Sequence, residues 1–301
     1  MTATTTHPDA AVVLDPDTWR ARRDAHRARV DRWLAEHLER RRHGRKHPVE
    51  DFLFTYYSYR PGQLRRWHPG AGVLLVDADP AEFGRDYRAV DGGAMLDATA
   101  ILQRRGQSVA WIRTLLANTA ARRPQLSCFN LHEWAMVYRQ RPEELRHAGW
   151  PLRLGPERTA RVVEELRLRC SHFDAFRFFT PEARPLNQRQ LSREGQLENE
   201  QPGCLHANMD LYKYAYKLCP LIPSELVAEA FALAREIRAL DMRASPYDLS
   251  ALGYSPVRIE TPEGRAEYVA AQRDFAERAA PLRARLIEAI DRVTALAGHT
   301  R

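Results

Sequence analysis

Residues 261–293 read TPEGRAEYVAAQRDFAERAAPLRARLIEAIDRV. Thr261-Pro262-Glu263 is a helix-start signal, with a capping hydroxyl, a proline at the first helical position and an acid near the positive end of the helix dipole. Tyr268, Phe275, Leu282, Leu286, Ile290 and Val293 follow at spacings that place them on one face of a long amphipathic helix. The other end of the chain repeats the pattern. Asp15-Pro16 reads as an N-cap and first helical residue, and Trp19, His26, Val30, Trp33, Leu34 and Leu38 recur at helical spacing. Glycine and the basic run Arg40–Lys46 close that helix. Shorter helices are expected over about 94–104, 107–122, 125–140, 156–170, 206–218 and 223–243.

Strand signals are few. Val73–Val76 lies between glycines and Asp77, and Tyr87–Val90 is expected to pair with it ahead of a turn at Asp91-Gly92-Gly93. Residues 180–204 hold three prolines and two glycines among Asn, Gln and Glu, which reads as a long polar loop of the kind that is usually functional or disordered. Residues 247–260 are a second irregular stretch. The expected fold class is therefore mainly α. A single helical domain over 15–301 carries a small β-hairpin insertion and a central polar pocket, with a disordered tail over 1–14.

With 301 residues, 44% hydrophobic and 28% charged, the chain is long enough for one large core and is not disordered throughout. Net charge is +7, and 43 of the 46 basic residues are arginine. Arginine excess follows from a GC-rich genome or from an anionic partner, whose phosphate oxygens match the guanidinium fork. Cys128, Cys170, Cys204 and Cys219 form no C-x-x-C, so zinc ribbons and thioredoxin-type chemistry are excluded and reduced, structural thiols are expected. No apolar run approaches the ~20 residues of a membrane span. Met1–Ala10 lacks the features of a signal peptide, so a cytoplasmic protein is expected.

Four segments place histidine beside an acid: His47-Pro-Val-Glu-Asp51, His132-Glu133, His172-Phe-Asp174 and His206-Ala-Asn-Met-Asp210. Each has aromatic and arginine neighbours. Any one pair alone is most often a buried histidine satisfied by an acid, but four suggest one site assembled by folding. On a helix His206 and Asp210 share a face, which Lys213 and Lys217 continue. His132-Glu133 lacks the second histidine of H-E-x-x-H, since position 136 is Met. The phosphate-binding G-x-x-x-x-G-K-[ST], the dinucleotide G-x-G-x-x-G, the G-x-S-x-G elbow and the zinc-deaminase signature are all missing.

The runs His47–Pro61 (HPVEDFLFTYYSYRP), Leu131–Arg139 (LHEWAMVYR), His206–Lys213 (HANMDLYK) and Leu240–Leu249 (LDMRASPYDL) resemble a bacterial family labelled 3-methyladenine DNA glycosylase. The resemblance runs from about residue 16 to the C-terminus. It implies DNA as partner and excision of alkylated purines by hydrolysis of the N-glycosidic bond. Asp210 or Glu133 would then be the catalytic carboxylate, and His206 and His132 would orient it or hold the water. Trp134, Tyr57 and Phe173 would stack on the base, with Arg139, His172 and Asp174 around it. Arg60, Arg65, Arg66, Lys46 and Lys213 would bind phosphates. The chain has neither the glycine-rich hairpin of helix-hairpin-helix glycosylases nor the helix pairs of the HEAT-like class, so base excision here would be a separate solution.

A different class fits the same residues. Two or three histidines with one or two carboxylates ligate iron, manganese or zinc, and helical scaffolds present such sets. No cofactor is required by the sequence, but a divalent metal would draw on His47, His132, His172, His206, Asp51, Glu133, Asp174 and Asp210 and would turn the protein toward a small-molecule substrate. A non-catalytic binding protein with a polar pocket is the third reading.

Overall fold

The computed structural model describes residues 11–145 and 149–299. Helices make up 59% of it and the one sheet is small, so the chain is mainly α with a β insertion. The helices are α1 (Pro16–Arg42), α2 (Phe52–Tyr56), α3 (Pro61–Arg65), α4 (Ala98–Ala120), α5 (Leu131–Ala135), α6 (Gly155–Leu166), α7 (Phe173–Phe176), α8 (Gln196–Asn199), α9 (Leu205–Leu218), α10 (Ser224–Arg243) and α11 (Pro262–His299). The strands are β1 (Val12–Leu14), β2 (Val73–Val76), β3 (Tyr87–Val90) and β4 (Gly93–Leu96). No described helix is long and apolar enough to cross a membrane.

Both terminal helices follow their sequence signals. Asp15 caps α1 by accepting the Thr18 N–H at 2.8 Å, with Pro16 in the first turn. Along α11, Tyr268, Phe275, Leu282, Leu286, Ile290 and Val293 are all buried against the interior. The helix runs through Pro281, and α4, α9 and α10 pack on it.

The sheet corrects the expected hairpin. Its order is β1-β2-β4-β3, so Val73–Val76 pairs not with Tyr87–Val90 but with Gly93–Leu96, and the hairpin joins β3 to β4 through Asp91-Gly92. Position 93 lies on the pairing seam, where a side chain would run into the Leu75 carbonyl, so only glycine fits. Part of the stretch expected as a tail over 1–14 is a strand. Residues 1–10 lie outside the described residues, but Val12–Leu14 pairs in parallel with β2. A parallel pair requires a crossover, and here α1, α2 and α3 supply it.

Helix boundaries shift for local reasons. The helices expected over 94–104 and 107–122 are one, α4, which absorbs Gly106 and starts only after β4 and the Asp97 cap. The helix expected over 125–140 shrinks to α5, because Phe129, Asn130 and Arg139 adopt left-handed backbone that no α-helix continues through. Within the polar stretch 180–204, α8 is the longest regular piece.

At the centre lies α9. Every residue in it except Lys213 and Lys217 is buried, so all its faces meet protein. The short connection 219–223 returns the chain as α10, which packs along it.

His47 and Asp51, expected in the central pocket, stand apart from it. Asp51 accepts the His47 backbone N–H at 2.8 Å, contacts His37 Nδ1 at 2.9 Å and takes the Arg40 guanidinium at 2.7 Å, tying the segment before α2 to the end of α1. The His47 ring accepts the Glu50 N–H at 3.0 Å. Burial works to raise the Asp51 pKa, but Arg40 and His37 outweigh it and hold it below its ordinary 3.8. Its contribution to stability is therefore present above about 3.8 and lost as pH falls through the lower folded value. Asp51→Asn is expected to cost about 3 kcal/mol in urea unfolding at pH 7. The gap to wild type should shrink as pH falls below ~4, where Asp51 of the unfolded chain takes up a proton first and the folded one follows at its lower value; a gap that persists below that value would remove the ion pair from the account.

Candidate metal centre

Three of the four His-acid segments do meet, around α9. His206 and Asp210 lie one turn apart on it, and both are buried. Asp210 accepts from the Tyr57 hydroxyl at 2.7 Å, from Lys213 Nζ at 2.6 Å and from His172 Nε2 at 3.3 Å. The Ala175 N–H donates to His172 Nδ1 at the start of α7, which puts that ring's proton on Nε2, facing Asp210. Lys213 also holds Asp174 at 2.7 Å. Burial would raise the Asp210 pKa, but the Lys213 ammonium and the His172 hydrogen bond hold it far below the usual carboxylate range.

The second half of the cluster comes from α5 and α10. His132 Nε2 lies 3.0 Å from Asp241 Oδ1. Arg238 grips the other Asp241 oxygen, donates to Glu133 at 3.2 Å and lies 3.7 Å over the Phe52 ring. Burial would raise Asp241 too; Arg238 and His132 keep it well below its ordinary value and ionised.

Between the two halves stands His206. Its ring meets His132 edge-on at 4.3 Å and stacks on His172 at 5.3 Å. It is 6% exposed, yet none of the hydrogen bonds among the described residues involves its side chain. Burial, reinforced by His132, pushes its pKa well down, so the imidazole is neutral.

The nitrogens of His132 and His206 and an Asp241 oxygen all lie within 4.8 Å of one another, as do donor atoms of His172, Glu200 and Asp210. The two sets differ in readiness. At His172 both ring nitrogens are committed, and an ion on Nε2 would leave the ring without a proton. At His132 the proton can sit on Nδ1, freeing Nε2; His206 offers an unused lone pair, and Arg238 leaves Asp241 Oδ1 open. The first set matches the two-histidine, one-carboxylate pattern of iron, manganese and zinc sites.

His206 also borders two cavities of about 20 Å³ each. Phe52, Tyr56, Phe178, Glu133 and Arg238 wall one of them. Cys128, Cys170 and Cys204 wall the other, where burial pushes the Cys170 thiol up to about 12 and keeps it protonated. Each void holds roughly one water-sized molecule.

The remaining sequence candidates lie elsewhere or inside. Trp134 is fully buried and donates to the Ala244 carbonyl at 2.9 Å, so its faces serve the core. Tyr57 is buried on Asp210, and Phe173 is half-buried with Arg193 over its ring. Arg139 is exposed and paired with Glu164 at 2.9 Å. Arg65 is paired with Asp31 at 2.7 Å, whereas Arg60, Arg66 and Lys46 are exposed. Lys213, expected at a phosphate, is turned inward. The sequence reading missed Asp241, Glu200 and Arg238. Asp241 was legible: it continues the buried face of Ala230, Ala234 and Ile237 at helical spacing. Glu200 stands in the polar stretch after α8, where no periodicity marks it.

No protein-family model, curated protein or solved structure matches the chain, so its function is read from this geometry.

The ion-pair network makes a stability prediction. Lys213→Met leaves Asp210 and Asp174 buried without their ammonium and is expected to destabilise the fold by about 3 kcal/mol or more. Lys213→Met combined with Asp210→Asn should recover part of that loss. Equal, additive losses in urea unfolding would show that the two side chains are not coupled.

Proposed function

We propose that the protein is a metalloenzyme that binds one iron, manganese or zinc ion at His132, His206 and Asp241 and acts on a small molecule. The observation that carries this reading is His206, a buried, neutral imidazole with no hydrogen-bond partner, beside an ionised carboxylate and a second histidine. The His206 ring borders two water-sized voids, so its lone pair is open to a ligand from that space. Neutral His206 and ionised Asp241 are already in the forms that ligate. A three-residue set leaves coordination positions for water and substrate, and the ion there supplies Lewis acidity or, for iron and manganese, redox chemistry.

The surrounding residues have separate tasks. Arg238 orients Asp241 and balances its charge with that of Glu133. Asp210, fixed by Tyr57 and Lys213, holds His172 as a stacked support for His206. A flipped purine needs a pocket of some 300 Å³ or more at these carboxylates, so the water-sized voids favour metal chemistry over base excision.

Protein purified without an affinity tag or chelator is expected to carry close to one equivalent of iron, manganese or zinc. His206→Ala should lose the metal, Asp210→Asn should keep it, and chelation should lower the melting temperature of the wild type. A folded protein that is free of metal, takes up none of the three ions and is indifferent to chelator overturns the proposal.

A further inference from the structure

A second site lies away from the cluster of His132, His172 and His206, at the seam between the β insertion and the carboxyl end of α9. There a cleft of about 460 Å³ opens beside α3, the loop before β3 and α4. Four cationic side chains line it: Arg66, Arg85, Arg105 and Lys217. The one carboxylate on its wall, Asp86, is held by Arg104 at 2.6 Å. Arg66, Arg85 and Lys217 are exposed, and no acidic side chain among the described residues pairs with any of them. Most arginines of this chain that face an acid are bound to it, as Arg65, Arg113, Arg153 and Arg285 are. Leaving three cations unpaired around one concavity sets them against one another, and an anion relieves that repulsion.

The cleft is also built to keep its charges in place. The Arg105 guanidinium donates to the carbonyls of Lys217 and Cys219, which fixes it on the wall and covers the negative end of α9. Tyr59 and Tyr216, stacked at 4.8 Å and nearly parallel, form a rigid side, and His68 is fixed by Tyr87 at 3.1 Å. The volume falls within the range of small-ligand pockets and is too confined to admit a duplex.

We propose that this cleft binds a small phosphorylated ligand, with phosphoryl oxygens held by Arg66, Arg85, Arg105 and Lys217. Guanidinium forks match phosphate oxygens in pairs, and several cations converging on one concavity suit more than one phosphoryl group. The site stands independently of the metal reading.

Pyrophosphate is the probe, titrated calorimetrically into the protein as purified at two salt concentrations. Arg66→Gln and Arg85→Gln are the variants, since both side chains are exposed and hold no partner that folding needs. Wild type is expected to bind pyrophosphate more tightly than inorganic phosphate. Each substitution should weaken binding by about tenfold, and the pair by more. Binding that is unchanged in the double variant overturns the assignment, because pyrophosphate captured by a metal ion at His206 would be indifferent to both arginines. No pyrophosphate binding, with binding of a duplex oligonucleotide that falls in the same variants, overturns the small ligand and assigns the surface to nucleic acid.

Discussion

The fold is organised by one constraint: its central helix carries histidine, aspartate, asparagine and lysine into the core, where polar groups need partners. An ionised group buried without a partner costs several kcal/mol, more than a sizeable fraction of a domain's net stability. Several neighbours of α9 therefore answer a polar group on it. Tyr57 reaches Asp210 from the segment after α2, His172 does so from the start of α7, and Lys213 closes the circuit to Asp174. On the opposite face Arg283 of α11 donates to Asn208 at 2.5 Å, and burial pulls that guanidinium down to about 10. The long helix is thus attached to the centre by a polar contact as well as by its apolar stripe.

Against that pairing, the His206 ring makes no hydrogen bond among the described residues, and the Tyr212 hydroxyl of the same helix has no partner either. Networks of this kind stabilise when complete and destabilise when one member is left over. Of the two, His206 lies among groups already in metal-ligating form, and its two adjoining voids are scaled to water or a diatomic molecule. A larger substrate would have to be admitted by movement around Phe52 and Phe178. The phosphate-matching cleft is of the opposite kind, open and preformed, with unpaired charge in place of unpaired lone pairs.

How much of this was legible depends on whether the signal was local. The terminal helices were, because capping residues and apolar spacing are properties of one segment. The pairing of β2 with β4 was not: short strands carry little register information, and the Asp91-Gly92 turn says which strands form the hairpin but not which neighbour it joins. The meeting of His132, His172 and His206 could be suspected from repeated His-acid pairs. His47-Pro-Val-Glu-Asp51 has the same composition and went elsewhere, because Arg40 and His37 of α1 reach Asp51 first. Asp241 was marked by its place on the buried face of α10, but nothing local to Arg238 shows that α5 is brought against it.

Lysine is nearly absent from the chain, and its few positions have unequal chemistry. Lys213 is locked between two carboxylates, whereas Lys46 and Lys217 are exposed. Amine-selective reagents thus have two side chains to address, one just beyond α1 and one on the rim of the cationic cleft. A natural composition bias has in effect left the molecule with a nearly unique handle for attaching a spectroscopic probe beside that cleft while the core is untouched.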